Sequence, residues 1–253
     1  MNRDLTQLLC TFDPITLAEM DGVKLLDRTD TKFVFNHNQL PVILNSLQEY
    51  YKILDVNGIK QNRYETLYFD TSGFKLYHEH HNGRASRYKV RYRKYVDSDL
   101  IFFEVKFKNN KGRTIKSRVK RRNIDDVIAG KALGLINEKT PLDPESLHAK
   151  LWVNYSRITL VNKTTTERLT LDLNLQFKKG DDVLSCQNLV IAEVKQEKVG
   201  ASPFLRVMKA NHVREGSISK YCFAVVSLIE GVKKNKFKSK LLTLNKVCYE
   251  TKL

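Results

Sequence analysis

Lysine and arginine recur at every second position over several stretches of this chain, and that spacing sets the chemistry to look for. Within residues 87–95, Lys89, Arg91 and Arg93 alternate with Tyr88, Val90 and Tyr92. Further on, Ile101, Phe103, Val105 and Phe107 alternate with Phe102, Glu104, Lys106 and Lys108, and Ile115 and Val119 oppose Thr114, Lys116, Arg118 and Lys120. Leu169, Leu171 and Leu173 oppose Arg168, Thr170 and Asp172, while Val190, Ala192 and Val194 oppose Glu193 and Lys195. Because alternate residues of a strand point to opposite sides of a sheet, each stretch has one apolar and one cationic face. One such strand alone would be an ordinary half-solvated sheet. Repetition weakens that reading, since a solvated face mixes both signs more evenly. If the sheet curls with its charged faces inward, so many cations at close range require an anionic occupant, and a chain of phosphates supplies one. The few acids on the same face then suit Mg²⁺ or Mn²⁺, which takes oxygen ligands from one or two carboxylates plus phosphate. Glu193 is the first candidate metal ligand, with Glu104 and Asp172 behind it. The competing reading of each is a plain ion pair with a neighbour such as Lys195 or Lys106.

The elements that must position these residues follow from periodicity. Period-two patterning predicts strands near 63–70, 87–96, 100–108, 112–120, 153–161, 167–177 and 188–196, with a further strand over 25–35. Asn110, Lys111 and Gly112 provide a tight turn between two of them. Helices are expected where a cap precedes helical spacing: Asp13 and Pro14 opening 15–20, then 39–50, 124–133, Asp143 with Pro144, Ser202 with Pro203, and 217–232. The Lys-rich tail after that is expected to be loosely ordered. No linker or internal repeat divides residues 1–253, so one domain is expected, mainly antiparallel β with flanking helices in the α+β class.

Charge and composition bound the function. The formal net charge is +16 over 253 residues, and residues 84–122 alone hold 15 Lys and Arg against Asp97, Asp99 and Glu104. A field so concentrated implies an anionic partner: a phosphate compound, nucleic acid or an anionic membrane. An RNA-binding sheet, with Tyr88, Tyr92 and Phe102 stacking bases, is the rival that leaves the recurring carboxylates unexplained. No stretch reaches the roughly 20 apolar residues of a membrane helix, and the first residues lack a secretory pattern, so the cytoplasm is the default expectation. Cys10, Cys186, Cys222 and Cys248 show no metal-binding spacing and read as buried thiols. His78, His80 and His81 read as packing or solvated side chains rather than ligands. No G-x-x-x-x-G-K-[ST] run is present, so a P-loop is excluded as a source of ATP binding.

The runs TDTKFVF (29–35), RYETLYFDT (63–71), RYKVRYRKY (87–95), FFEVKFK (102–108), SRITL (156–160), LTLDLNL (169–175), IAEVK (191–195) and SKYCF (219–223) occur in the order seen in VTC domains. These are the polyphosphate polymerase domains of the vacuolar transporter chaperone family, within the CYTH or triphosphate tunnel superfamily, and the resemblance spans about residues 20–230. It implies a closed barrel of about eight antiparallel strands that binds ATP, triphosphate or polyphosphate with Mn²⁺ or Mg²⁺. By motif, Lys32 matches the lysine of the first-strand signature, Arg91 and Arg93 the R-x-R pair, and Lys106 the lysine of E-x-K. Lys116 matches a further basic position with Arg118 as its alternative. Arg157, Arg168, Glu193 and Lys220 match the remaining phosphate and metal positions. Where triphosphatases of the superfamily carry an acidic pair before Lys32, this chain has Arg28 and Asp30, as polymerase-type members do. The resemblance therefore implies a polyphosphate polymerase, with a triphosphatase as the alternative, and a membrane protein as an expected partner.

Overall fold

The structure is a computed structural model that describes residues 3–21, 29–197, 200–216 and 219–249. It is built on one sheet whose main path joins eight strands in the order β2 (Thr29–Asn36), β11 (Leu189–Gln196), β9 (Glu167–Lys179), β8 (His148–Asn162), β4 (Gln61–Asp70), β5 (Arg87–Tyr95), β6 (Leu100–Lys108) and β7 (Thr114–Arg121). Every neighbouring pair along this path is antiparallel. Short strands β1 (Pro14–Ile15), β3 (Tyr51–Leu54) and β10 (Asp182–Cys186) attach at its sides. The expected strands are present, and β8 is longer than its pattern indicated.

The expectation of a closed barrel needs correction. Strands β2 and β7 end the path and do not pair with each other. The sheet curls without hydrogen-bonded closure. Part of the outer edge of β2 is taken by Glu215 and Gly216, which bond to its backbone at Phe33 and Lys32. The edge strand β7 is exposed and lysine- and arginine-rich, the composition that discourages edge-to-edge association.

Helices cover the convex side. Against β2, β11, β9 and β8 lie α1 (Arg3–Cys10), α3 (Leu40–Asn45) and α6 (Pro203–Ala210), burying Leu5, Leu9, Ile43, Leu44, Phe204 and Met208 against Phe33, Leu171 and Val194. On the other wall α5 (Lys131–Lys139) buries Ala132 and Ile136 against Val90, Tyr92, Phe103 and Val105. The apolar faces identified by alternation are thus the ones that meet helices, at roughly 1.5–3 kcal/mol for each large side chain removed from water. That arrangement turns the cationic faces inward.

Several helical expectations shift. The Asp13–Pro14 signal opens no helix, because Pro14 and Ile15 pair with Ile53 and Leu54, and α2 (Leu17–Asp21) starts later. The predicted 39–50 helix is only α3, preceded by a 3-10 turn, since Ser46–Tyr50 must turn back to feed β3. The 124–133 helix is displaced to Lys131–Lys139, following Gly130 at φ +56. Asp143 and Pro144 do form a cap and first turn, but of a 3-10 helix. Ser202 caps α6 as expected, accepting from the Leu205 amide. The last expected helix is α7 (Lys220–Leu228), and the tail is not loose: α8 (Lys238–Tyr249) docks Leu244 and Cys248 into the core. Cys10 is exposed, unlike the other cysteines. Residues 25–28, including Arg28, lie outside the described residues. Among the described residues no helix is long and apolar enough to cross a membrane.

Candidate functional site

The inward faces of β5, β6 and β7 are locked by register. Arg91 lies opposite Glu104, and Glu104 opposite Arg118; Lys89 lies opposite Lys106, and Lys106 opposite Lys116. Glu104 is 1% exposed and takes two hydrogen bonds from Arg91 at 2.8 and 2.6 Å plus one from Lys116 at 3.2 Å. Burial opposes its ionisation, but Arg91, Arg93 and Lys116 outweigh that and hold the carboxyl well below its usual range. Arg118 does not join the pair. Its guanidinium stacks 4.3 Å above the Phe102 ring at the exposed edge.

The opposite wall repeats the device with different residues. Asp172 on β9 receives both Nε and Nη2 of Arg157 from β8, at 2.6 and 2.8 Å, and the ammonium of Lys220 from α7. Burial again opposes and Arg157 and Lys220 prevail, leaving Asp172 at about 2. Glu193 on β11 faces Lys32 across the β2 register at 3.6 Å and Lys195 at 2.8 Å. It too is held well below the usual carboxylate range: against burial, Lys195 and Lys32 act together. Arg168 stands opposite Lys195, one step beyond Glu193.

The two walls face each other. Arg91 donates to the Tyr68 hydroxyl at 3.0 Å, and Arg93 lies within 6 Å of the rings of Tyr64 and Tyr155. Arg157 lies over the same two rings at 5.1 and 5.3 Å. Three arginines from two walls therefore meet over a floor of tyrosines, where ring faces tolerate them without removing their charge. The described residues bring together Lys32, Arg91, Arg93, Lys106, Lys116, Arg157, Glu193 and Lys220 on one concave surface, and leave Arg118 and Arg168 at its margins.

Helix α7 closes one end. Ser219 caps it by accepting from the Cys222 amide and also accepts from Lys89 at 2.8 Å. Tyr221 stacks on Tyr68 and donates to Asp70 at 2.5 Å. Asp70, fully buried, also accepts from the amides of Leu76 and Tyr77 in α4 (Lys75–His81). So α7 is tied to β9, β4 and β5 at once. The sequence reading missed Tyr64, Tyr68, Tyr155 and Asp70. The alternation did contain a signal for Lys89, which shares the face of Arg91.

Divalent-metal binding has a limited fit. Among the described residues no three His, Cys, Asp or Glu side chains converge. Glu104 and Asp172 are enclosed, each by two cations, whereas Glu193 is ionised with its side chain 19% exposed. One carboxylate suits an ion that brings its remaining oxygen ligands as phosphate and water. Of the three rings the RNA reading used, Tyr92 is 0% exposed on the core face, Tyr88 is stacked on Phe107, and Phe102 carries Arg118 on its face. The three histidines lie on α4, with His81 buried against Phe237.

Comparison with known proteins places this geometry in context. A Bacillus halodurans protein, solved as a candidate adenylate cyclase, superposes with a TM-score of 0.51 at 11% identity over 81% of this chain and 98% of its own. A candidate adenylyl cyclase from Hippeastrum, described as having dominant triphosphatase activity, gives 0.49 at 12% identity over 81% and 98%. At 11% identity the likeness to the Bacillus halodurans protein concerns the fold alone. No curated protein matches the sequence. The model of the VTC domain matches residues 27–229, nearly all of the sheet and the α7 closure, and the chain belongs to that family.

Proposed function

We propose that this chain is a polyphosphate polymerase that transfers the γ-phosphate of ATP to the end of an inorganic polyphosphate chain. The observation that carries the reading is the convergence of Arg91, Arg93 and Arg157 from β5 and β8, the two strands that flank β4, with Lys32, Lys106 and Lys220 around them, inside a surface whose acids are nearly all neutralised. Membership of the VTC domain family supports the same chemistry.

In this mechanism the protein forms no covalent intermediate. The arginines and lysines hold the triphosphate and the polymer end in line and offset charge on the equatorial oxygens, so positioning and electrostatics supply the acceleration. A terminal polymer oxygen attacks the γ-phosphorus, the bond from that phosphorus to the bridging oxygen breaks, and ADP leaves with the electron pair. Glu193 would hold Mg²⁺ or Mn²⁺ carried by the triphosphate, which supplies Lewis-acid charge stabilisation when bound. Glu104 and Asp172 serve as anchors that fix Arg91, Lys116, Arg157 and Lys220 in place.

Incubating the purified protein with ATP and Mn²⁺ tests the reading. Phosphate polymers that resist protease and stain as a ladder on a gel are expected. Orthophosphate released without polymer would falsify polymerisation and make the protein a triphosphatase, with water as acceptor.

A further inference from the structure

The inner surface has a region where, among the described residues, no carboxylate forms an ion pair. On β5 and β6, Lys89 pairs in register with Lys106, and Arg87 with Lys108, so two cross-strand pairs of like charge sit in succession. Like charges directly opposite each other destabilise a sheet. Among the described residues neither Lys106 nor Lys108 has a hydrogen-bond or ion-pair partner, Lys89 reaches only the Ser219 hydroxyl, and Arg87 only the carbonyl of Arg84. All four side chains are half-buried rather than splayed into solvent. His80 of α4, half-buried, borders the same cations. Burial first, then Lys89, Arg87, Lys240 and Lys108, hold His80 down to about 2, and its Nδ1 is buried without a partner.

We infer that Arg87, Lys89 and Lys108 continue the phosphate track beyond Lys106 and bind the segment of a long inorganic polyphosphate that extends past the reacting phosphates. The inference rests on the proposed function and specifies which part of the polymer this wall takes. Along one strand face, residues two apart are about 6.8 Å apart, so Arg87 stands about 20 Å from Arg93. Three linked phosphates seated at the arginines fall well short of that, whereas a longer chain reaches it. A linear polyanion is also the one occupant that offsets two successive like-charge pairs at once. Ser219 places the track beside α7, so the polymer passes along the β5–β6 side of the helical closure.

Titration calorimetry with EDTA present, which prevents turnover, separates the contributions. The probes are inorganic triphosphate and long-chain inorganic polyphosphate. For the double variant Arg87→Gln/Lys108→Gln, affinity for the long chain should fall at least about tenfold, as for two lost charge-assisted contacts, and the fall for triphosphate should stay under about twofold. The slope of log affinity against log salt should drop by roughly one to two for the long chain only. Equal losses for both probes, or none for the long chain, overturn the inference while leaving the reaction standing. A wild-type protein that binds neither probe sinks both. If the variant discriminates as expected yet wild-type protein makes no polymer from ATP, only the polymerase reading falls. The melting temperature should hold or rise, because repulsion is relieved; a clear fall reveals a structural pair and overturns the inference.

Discussion

Two regions of one concave surface solve the problem of buried charge in opposite ways. At Glu104, Asp172 and Glu193, each carboxylate is gripped by two cations, and the resulting triads are complete without any ligand. Along Arg87, Lys89, Lys106 and Lys108 no carboxylate among the described residues forms an ion pair, and like charges oppose each other across the register. The triads cost desolvation but return cations held in fixed orientation. The ladder holds repulsion that an anionic occupant relieves. The difference teaches where the protein preorganises its donors and where it leaves the countercharge to the substrate.

Glu193 offers the sharpest way to break that comparison, because it is the one triad acid open enough to serve a metal. Glu193→Gln should lower metal-dependent turnover by about 100-fold or more, the scale of losing a principal electrostatic group. With EDTA present the same variant should bind triphosphate more tightly, since Lys32 and Lys195 are released from their carboxylate. Turnover at the wild-type rate would place Glu193 with the purely structural triads.

Asp172 tests the structural side. Removing one partner of a buried pair leaves charge uncompensated, so Asp172→Asn should destabilise the ligand-free protein by about 3 kcal/mol or more in urea unfolding. Added triphosphate should restore part of the loss through Arg157 and Lys220. No change in stability would mean that the triads are as ligand-dependent as the ladder.

A smaller effect follows from Lys106, where burial first, then Lys89 and Arg91, push the ammonium down to about 7. Its folded value lies below the ordinary lysine value of 10.5, so between about 7 and 10.5 the unfolded chain binds more protons, and this group makes ligand-free stability rise with pH. Phosphate affinity should move the opposite way, falling by at most about tenfold per pH unit above 7 as the charge is lost. Comparing wild type with Lys106→Arg by calorimetry removes the ligand's own ionisation from the result, and the arginine variant should show the shallower profile.

Much of the wall chemistry was legible in the sequence because alternation is a local property. The Lys106 and Glu104 faces, and the acids and bases of β9 and β11, follow from period two alone. What alternation does not contain is partnership across the sheet. The pairing of Arg157 with Asp172 depends on the β8–β9 register, which shifts between Asn154 and Ser156, and the α7 contacts of Lys220 and Tyr221 span 48 and 151 residues. Closure was also beyond local reading: whether β2 meets β7 depends on curvature accumulated over eight strands. The first misplaced helix has a plain cause. Asp13–Pro14 is a good cap, but pairing with β3 used the same backbone.

Lys116 and Arg118 set the smallest and most discriminating expectation, since the sequence offered them as alternatives for one phosphate position. Lys116 belongs to the Glu104 triad, whereas Arg118 lies over Phe102 at the exposed sheet edge. A cation over an aromatic ring at an exposed site contributes about 0.5–1 kcal/mol. Arg118→Ala should therefore cost a few tenths to 1 kcal/mol of stability and change triphosphate affinity by less than about threefold. Lys116→Ala should weaken triphosphate binding more, because it removes a donor aimed inward and loosens the carboxylate that orients Arg91. The reverse ranking, measured by calorimetry on both variants, would move the boundary of the preorganised region outward to the edge of β7.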